Sequence, residues 1–267
     1  MKILSFNPGH DGTFAYIEDG KLIISIETEK DSHYRHSPAT IPDLLGILGD
    51  LKETPDILCR GGWWPGDNNS TEKSIISGYY GINNSSIITK KQNLLGKEIN
   101  YFSSSHERSH ILCAFGMSNL PKGTSCYVLL WEGVIGAFYK IDSKLNIIKI
   151  SDVMPEPGHR YALLYGIGDP TFDKQNAEFS RLSDAGKLMS LASFSNRTKP
   201  TDEEEKLISF LMQDCAHLKP KECEAFRTFR HYNVGLDDTE FRNFAGIFSD
   251  RIFDRFYNYA KLNLDKN

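Results

Sequence analysis

Two imidazoles four residues apart are the strongest chemical signal in the sequence. Ser105-His106-Glu107-Arg108-Ser109-His110 sets His106 and His110 on one face of a helix that starts just after a strand. Side chains at i and i+4 sit one above the other, so both rings can reach a single metal ion. Polar helix faces produce the same spacing, and context has to separate the two readings. Glu132, in Leu130-Trp131-Glu132-Gly133-Val134, opens the turn of a later strand pair and is the candidate third ligand. Two imidazoles and a carboxylate with open positions suit iron or another divalent first-row ion better than a closed structural zinc. A second element is the loop Asn7-Pro8-Gly9-His10-Asp11-Gly12-Thr13. Gly9 and Gly12 there permit a tight turn and bring backbone N–H groups against a phosphate oxygen, with His10 at the floor. The plain alternative is a strand connection in which the glycines only supply positive φ.

Positioning these groups requires a particular order of elements. Lys2 to Phe6, Thr13 to Ile17 and Lys21 to Glu27 read as a three-strand meander, with Glu18-Asp19-Gly20 as a hairpin turn. Cys126 to Leu130, Gly136 to Ile141 and Leu145 to Ile150 repeat it, and Phe138 to Leu145 echoes Ala15 to Leu22 without a gap, which reads as an internal duplication. Between the copies lie a helix from Ile41 to Leu51, strands at Asp56 to Cys59 and Ile99 to Ser103, and a helix through Phe115. Three strands followed by alternating helices and strands describe a ribonuclease-H-like lobe. The fold class is therefore α/β: tandem lobes of the actin, sugar kinase and heat-shock ATPase type, residues 1–122 and 123–267, with their turns facing each other across a cleft. After Ser151 the chain reads as helical, at Tyr161 to Gly166, Gly186 to Ala192 and Asp202 to Cys215, then in a long run carrying Phe241, Phe244, Phe248, Ile252, Phe256 and Tyr259 on one side. No closing strands follow, so the second lobe is expected to be incomplete. Self-association or a second polypeptide should then cover its open edge and the long helix.

A net charge of −4 over 267 residues lacks the basic footprint of a nucleic-acid or anionic-membrane binder. No stretch is apolar for long enough to span a bilayer, and Met1 to Phe6 is not a basic-then-apolar leader. Five cysteines without a C-x-x-C spacing suit reduced thiols in the cytosol, packed as small buried hydrophobes.

Four segments resemble the O-carbamoyltransferases that decorate aminoglycosides, cephems, other antibiotics and nodulation factors. The N-terminal domain of that family is related to the tRNA threonylcarbamoyladenosine enzyme. Ile3 to Glu29 resembles the family's opening, with Gly9-His10-Asp11-Gly12 in place and Glu27-Thr28-Glu29 at its run of glutamates. Tyr34-Arg35-His36-Ser37-Pro38 resembles its lysine-histidine pair, and His106 to Phe115 its two iron-binding histidines and following Ala-Phe. Tyr161 to Tyr165 and Asp184 to Ala192 resemble two later helical motifs. The resemblance implies transfer of a carbamoyl group to a small-molecule hydroxyl. The donor would be carbamoyl-adenylate, made from ATP and carbamoyl phosphate by a C-terminal domain that this chain is expected to lack. It implies iron on His106, His110 and Glu132, His10 as base, and Arg35 steadying the developing charge. Gly9, Asp11, Gly12, Gly133 and Lys187 would bind the nucleotide or carbamoyl group. Two departures accompany it: Glu132 replaces the family's aspartate, and Ile135 replaces a glycine. The Glu132 change and the expected missing end keep open an alternative, a non-catalytic actin-like half that acts by binding a partner protein. A sugar or acetate kinase shares the fold but gives the histidine pair no place.

Overall fold

The computed structural model describes residues 1–7, 9, 11–34, 36–64 and 76–264. The chain divides into two compact units: Met1–Cys126 with Ile141–Ile148, and Tyr127–Lys140 with Lys149–Asn267.

In the first unit, strands β1 (Lys2–Asn7), β2 (Thr13–Glu18), β3 (Lys21–Glu27), β4 (Ile57–Gly61), β5 (Ile87–Leu94) and β6 (Lys97–Ser104) form one sheet in the order β3-β2-β1-β4-β6-β5. β1, β4 and β6 run parallel, while β2, β3 and β5 are antiparallel to their neighbours. Alternate residues of the strands, Leu4, Phe14, Tyr16, Leu58 and Tyr101, make one buried layer with Ile47 and Leu48. Those two lie on α2 (Ile41–Asp50), which follows the short α1 (Thr28–Ser32). Thr40 fixes the start of α2 by a capping box: its hydroxyl accepts from the Asp43 N–H, and the Asp43 carboxylate accepts from the Thr40 N–H at 2.7 Å. Asp19 and Gly20, both at positive φ, form the expected β2–β3 turn. α3 (His106–Gly116) leaves the carboxyl end of β6.

The strands β7 (Cys126–Trp131), β8 (Gly136–Ile141) and β9 (Ile147–Asp152) form a second sheet in sequence order, with β7 and β9 at its edges. The helices α4 (Pro157–Gly168), α5 (Ala185–Ala192), α6 (Asp202–Leu211) and α7 (Thr239–Asn263) follow. Phe241, Phe244, Phe248, Ile252 and Phe256 of α7 pack into one core with Leu163 and Leu164 of α4, Leu188 of α5 and Leu207 of α6. The apolar stripe of α7 is thus buried within its own unit. Among the described residues no helix is long and apolar enough to cross a membrane. The cysteines are free, but only Cys223 is a buried small hydrophobe, its thiol pushed up to about 12 by burial; Cys113 is exposed.

A buried pair makes this core sensitive to acid. His231 Nε2 lies 2.7 Å from Glu204 Oε1. Burial holds the imidazole below its ordinary value, against the pull of the carboxylate. Burial raises Glu204, but hydrogen bonds from His231 and Thr201 outweigh it and leave the carboxyl lowered. Unfolded chains gain a proton on His231 near pH ~6.5 that the folded chain resists, so stability should fall as pH drops below that value. The Glu204 contribution is present above about pH 4.3 and is lost as pH falls through its lower folded value. Urea midpoints at neutral and mildly acidic pH should show the decline, and His231→Gln should flatten it. A midpoint that rises on acidification contradicts this account.

Candidate functional site

The first unit gathers its chemistry at the carboxyl ends of β1, β4 and β6, where open α/β sheets hold ligands. Ser105 caps α3: its hydroxyl accepts from the Arg108 N–H at 3.1 Å and donates to the Gly81 carbonyl. The Glu107 carboxylate, buried, accepts from the Gly81 N–H at 2.7 Å. Backbone N–H groups of His106 and Glu107 donate to the carbonyls of Gly78 and Tyr79. The 78–81 backbone is thus fastened to the first turn of the helix. His106 is held from two sides, stacked on Tyr79 at 4.3 Å between ring centres and edge-on to Trp63 at 5.0 Å.

His106 Nε2 and His110 Nε2 are 3.0 Å apart. Two imidazoles about 2.1 Å from one first-row ion, at a right angle, leave that same separation of about 3 Å. Without an ion it also fits a ring N–H donating to its neighbour. The donor pair therefore fits the expected metal, and the helical i, i+4 spacing correctly brings the two rings together.

The turn before β2 works differently from the expectation. Gly9 N–H donates to Asn7 Oδ1 at 3.3 Å and Gly12 N–H to the Ser37 carbonyl at 2.8 Å, so neither is directed at a phosphate. Positive φ falls on Asp11, not on the glycines. Gly12 is required for closeness instead, because a Cβ there would lie 2.1 Å from Ala39 N. Asp11 Oδ1 meets His36 Nδ1 at 2.8 Å, and Glu29 Oε2 accepts from the His36 N–H at 2.9 Å. Donor atoms of Asp11, Glu29 and His36 all lie within 4.8 Å of one another, a further set able to hold a divalent cation. This grouping joins segments 25 residues apart, and sequence reasoning missed it. His10 and Arg35 lie outside the described residues.

The second unit contains Glu132, Gly133 and Lys187. Glu132 Oε1 accepts from the Ile135 N–H at 2.6 Å, closing the turn between β7 and β8. Glu132 and Gly133, with Trp131, Gly158, Tyr161, Leu182, Ala185, Gly186 and Met189, line a mostly apolar cavity of about 430 Å³, within the range of small-molecule sites. Lys187 is not in the lining: its ammonium pairs with Asp184 Oδ1 at 2.6 Å and lies over the Tyr165 ring. His159, which the sequence reading overlooked, bonds Ser180 Oγ at 3.0 Å, and burial lowers its pKa.

The cavity floor depends on a close backbone approach. A Cβ on Gly158 would lie 2.6 Å from Gly133 Cα, whereas one on Gly133 would first meet the movable Leu182 side chain. Gly158→Ala should cost about 1–3 kcal/mol, and Gly133→Ala less. Denaturant midpoints check the order, and equal losses contradict it.

No protein-family model matches the chain. A 3'-hydroxymethylcephem-O-carbamoyltransferase of Amycolatopsis lactamdurans is 38% identical over 263 residues, 98% of this chain and 49% of that protein. Its counterpart from Streptomyces clavuligerus is 36% identical over 268 residues, 99% of this chain and 50% of that protein. The chain thus spans about half the length of the curated relatives it matches. Neither relative is named as a binding protein, so the non-catalytic alternative is not favoured. With that identity sustained across nearly all of its residues, the chain belongs to the O-carbamoyltransferase family, as the counterpart of about half of each relative.

Proposed function

We propose that this chain performs the transfer step of an O-carbamoyltransferase, moving a carbamoyl group from carbamoyl-adenylate to the hydroxyl of a small molecule such as a hydroxymethylcephem. The observation that carries the reading is the His106–His110 pair, 3.0 Å apart at the end of a parallel strand, in a chain homologous to enzymes of that name. His106 and His110 would hold a first-row metal, preferably iron, and such an ion supplies Lewis acidity toward a carbonyl oxygen. Tyr79 and Trp63 fix the His106 ring, so the donor pair is preorganised. The acceptor oxygen attacks the carbamoyl carbon, the bond from that carbon to the phosphate oxygen breaks, and AMP leaves. The acceptor's proton passes to a base, the role the family resemblance gives to His10.

The strand order β3-β2-β1-β4-β6 supports a ribonuclease-H-like first lobe of the actin-like kind. The β7-β8-β9 meander supports the start of a second. The edge of β7 would accept a further strand from a second copy or another polypeptide. Sedimentation across a range of concentrations tests that partner, and a strict monomer with full transfer activity opposes it.

The reading gives this chain transfer and not donor synthesis. Supplied with ATP and carbamoyl phosphate alone, it should release no AMP. Supplied with preformed carbamoyl-adenylate, it should release AMP faster when a hydroxyl acceptor is present. AMP release from ATP and carbamoyl phosphate overturns this division of labour.

A further inference from the structure

We propose that Trp64 and Tyr80 form an aromatic wall near the histidine pair, which takes the ring system of the hydroxyl acceptor and so selects the acceptor. Tyr79, 4% exposed, stacks on His106 at 4.3 Å and on Trp64 at 4.2 Å between ring centres. Two rings cannot lie side by side on one face of Tyr79 at those distances, so it is sandwiched between them. Trp63 stands edge-on to Tyr79 at 5.6 Å and to His106 at 5.0 Å. Tyr80 stands edge-on to Trp64 at 5.4 Å and to Tyr79 at 5.2 Å. The inner rings pack on one another, while Trp64 is 39% exposed and Tyr80 51%. A single exposed ring is ordinary on a protein surface, but two in perpendicular contact make an apolar corner suited to a ligand.

The corner stands on fixed backbone. Just beyond β4, the Gly62 N–H donates to the Ser104 carbonyl at 2.7 Å and the Trp63 N–H to the Ser77 carbonyl at 3.1 Å. Ser77 is held in turn: its N–H donates to Ser103 Oγ at 3.0 Å and its hydroxyl to the Ser103 carbonyl at 3.1 Å. Gly62 has no room for a side chain, because a Cβ there would lie 2.4 Å from the Gly78 carbonyl oxygen. The 78–81 backbone is bonded to the first turn of α3 by His106, Glu107 and Ser105. Both ring-bearing segments are therefore tied to β6 and α3, and a ligand packing on them does not have to order them first.

The identity of the occupant rests on the transfer reading; binding itself does not. In that reading the acceptor hydroxyl must reach a carbamoyl group brought to His106 and His110. Two stacking steps separate the His106 ring from Trp64, a gap that a bicyclic cephem spans with the methylene arm that carries its hydroxyl. A rigid unsaturated ring gains dispersion and face contact on an indole that a flexible polyol does not.

The test is calorimetric titration of the full, metal-free chain with a hydroxymethylcephem, with no donor present. Wild type should bind one cephem, and Trp64→Ala should weaken binding by roughly tenfold or more. Trp64→Phe should retain part of the affinity, and Tyr80→Leu, which keeps bulk but loses the ring, should also weaken binding. His110→Ala should bind as wild type does. With iron and preformed carbamoyl-adenylate supplied, Trp64→Ala should raise the acceptor KM roughly tenfold and leave kcat within about twofold, because the wall holds the acceptor without touching the reacting atoms. Thermal unfolding and metal content of each variant report the fold and the histidine pair. Tetramethylammonium, a cation that aromatic corners attract, should bind more weakly than the cephem; the reverse makes the corner a cation site and overturns the proposal. Cephem binding that depends on Trp64, with no transfer, overturns the transfer reading and leaves the wall standing. Wild type that binds no cephem, or Trp64→Ala and Tyr80→Leu that bind it as wild type does, overturns the wall.

Discussion

Replacing His106 and His110 together by alanine is expected to remove the bound first-row metal and to lower carbamoyl transfer on the order of 10²-fold or more. The fold should survive, because His110 is exposed. His106 loses its stacking on Tyr79, which is worth about 0.5–1.5 kcal/mol and lies within what a domain tolerates. His110→Ala alone isolates the metal effect, since it leaves that stack in place. Elemental analysis after anaerobic loading with ferrous iron, run beside unfolding curves, gives the answer. Equal metal content in wild type and the double variant means the pair is only a polar helix face, and the Asp11, Glu29 and His36 group becomes the site to examine next.

Arg160 should have the largest effect on stability. It is 2% exposed, and its guanidinium donates to the backbone carbonyls of Leu211 at 2.7 Å, Cys215 at 2.5 Å and Pro155 at 3.2 Å. It therefore ties α4 to the end of α6 and to the segment beyond. Arg160→Met keeps much of the volume and leaves those carbonyls without their donor, at about 1–3 kcal/mol for each that water does not reach. Urea unfolding should show a loss of about 3–5 kcal/mol from the second unit, while Arg160→Lys should recover part of it. A loss below about 1 kcal/mol indicates that water replaces the guanidinium.

Local signals were legible where alternation and capping act over a few residues. The opening meander follows from short apolar, β-branched runs separated by turn residues such as Asp19-Gly20, and α2 from Thr40 ahead of Ile41-Pro42-Asp43. β5 escaped detection because Ile87–Leu94 carries Lys90, Lys91, Gln92 and Asn93, an edge-strand composition that reads as polar loop. The start of α4 at Pro157 was hidden by Gly158, whose smallness serves packing against Gly133 and not a turn. α6 ends at Leu211, short of the expected Cys215, where Arg160 takes up the free carbonyls. In the site, the i, i+4 pair was readable because helix geometry alone fixes it. The Tyr79 and Trp63 rings that hold His106 lie 27 and 43 residues upstream, as the contacts between them record, and only the sheet brings them there. The two glycines of the first turn suggested anion-binding N–H groups, but a local bond to Asn7 and a tertiary one to Ser37 take those donors.

The most direct test of the account is to supply the purified, iron-loaded chain with preformed carbamoyl-adenylate and a hydroxymethylcephem, and to analyse the acceptor by mass spectrometry. The account predicts an acceptor heavier by one carbamoyl group, with AMP released in equal amount, and loss of both in the His106→Ala/His110→Ala variant. An unmodified acceptor, in the presence of bound iron and intact donor, would contradict it.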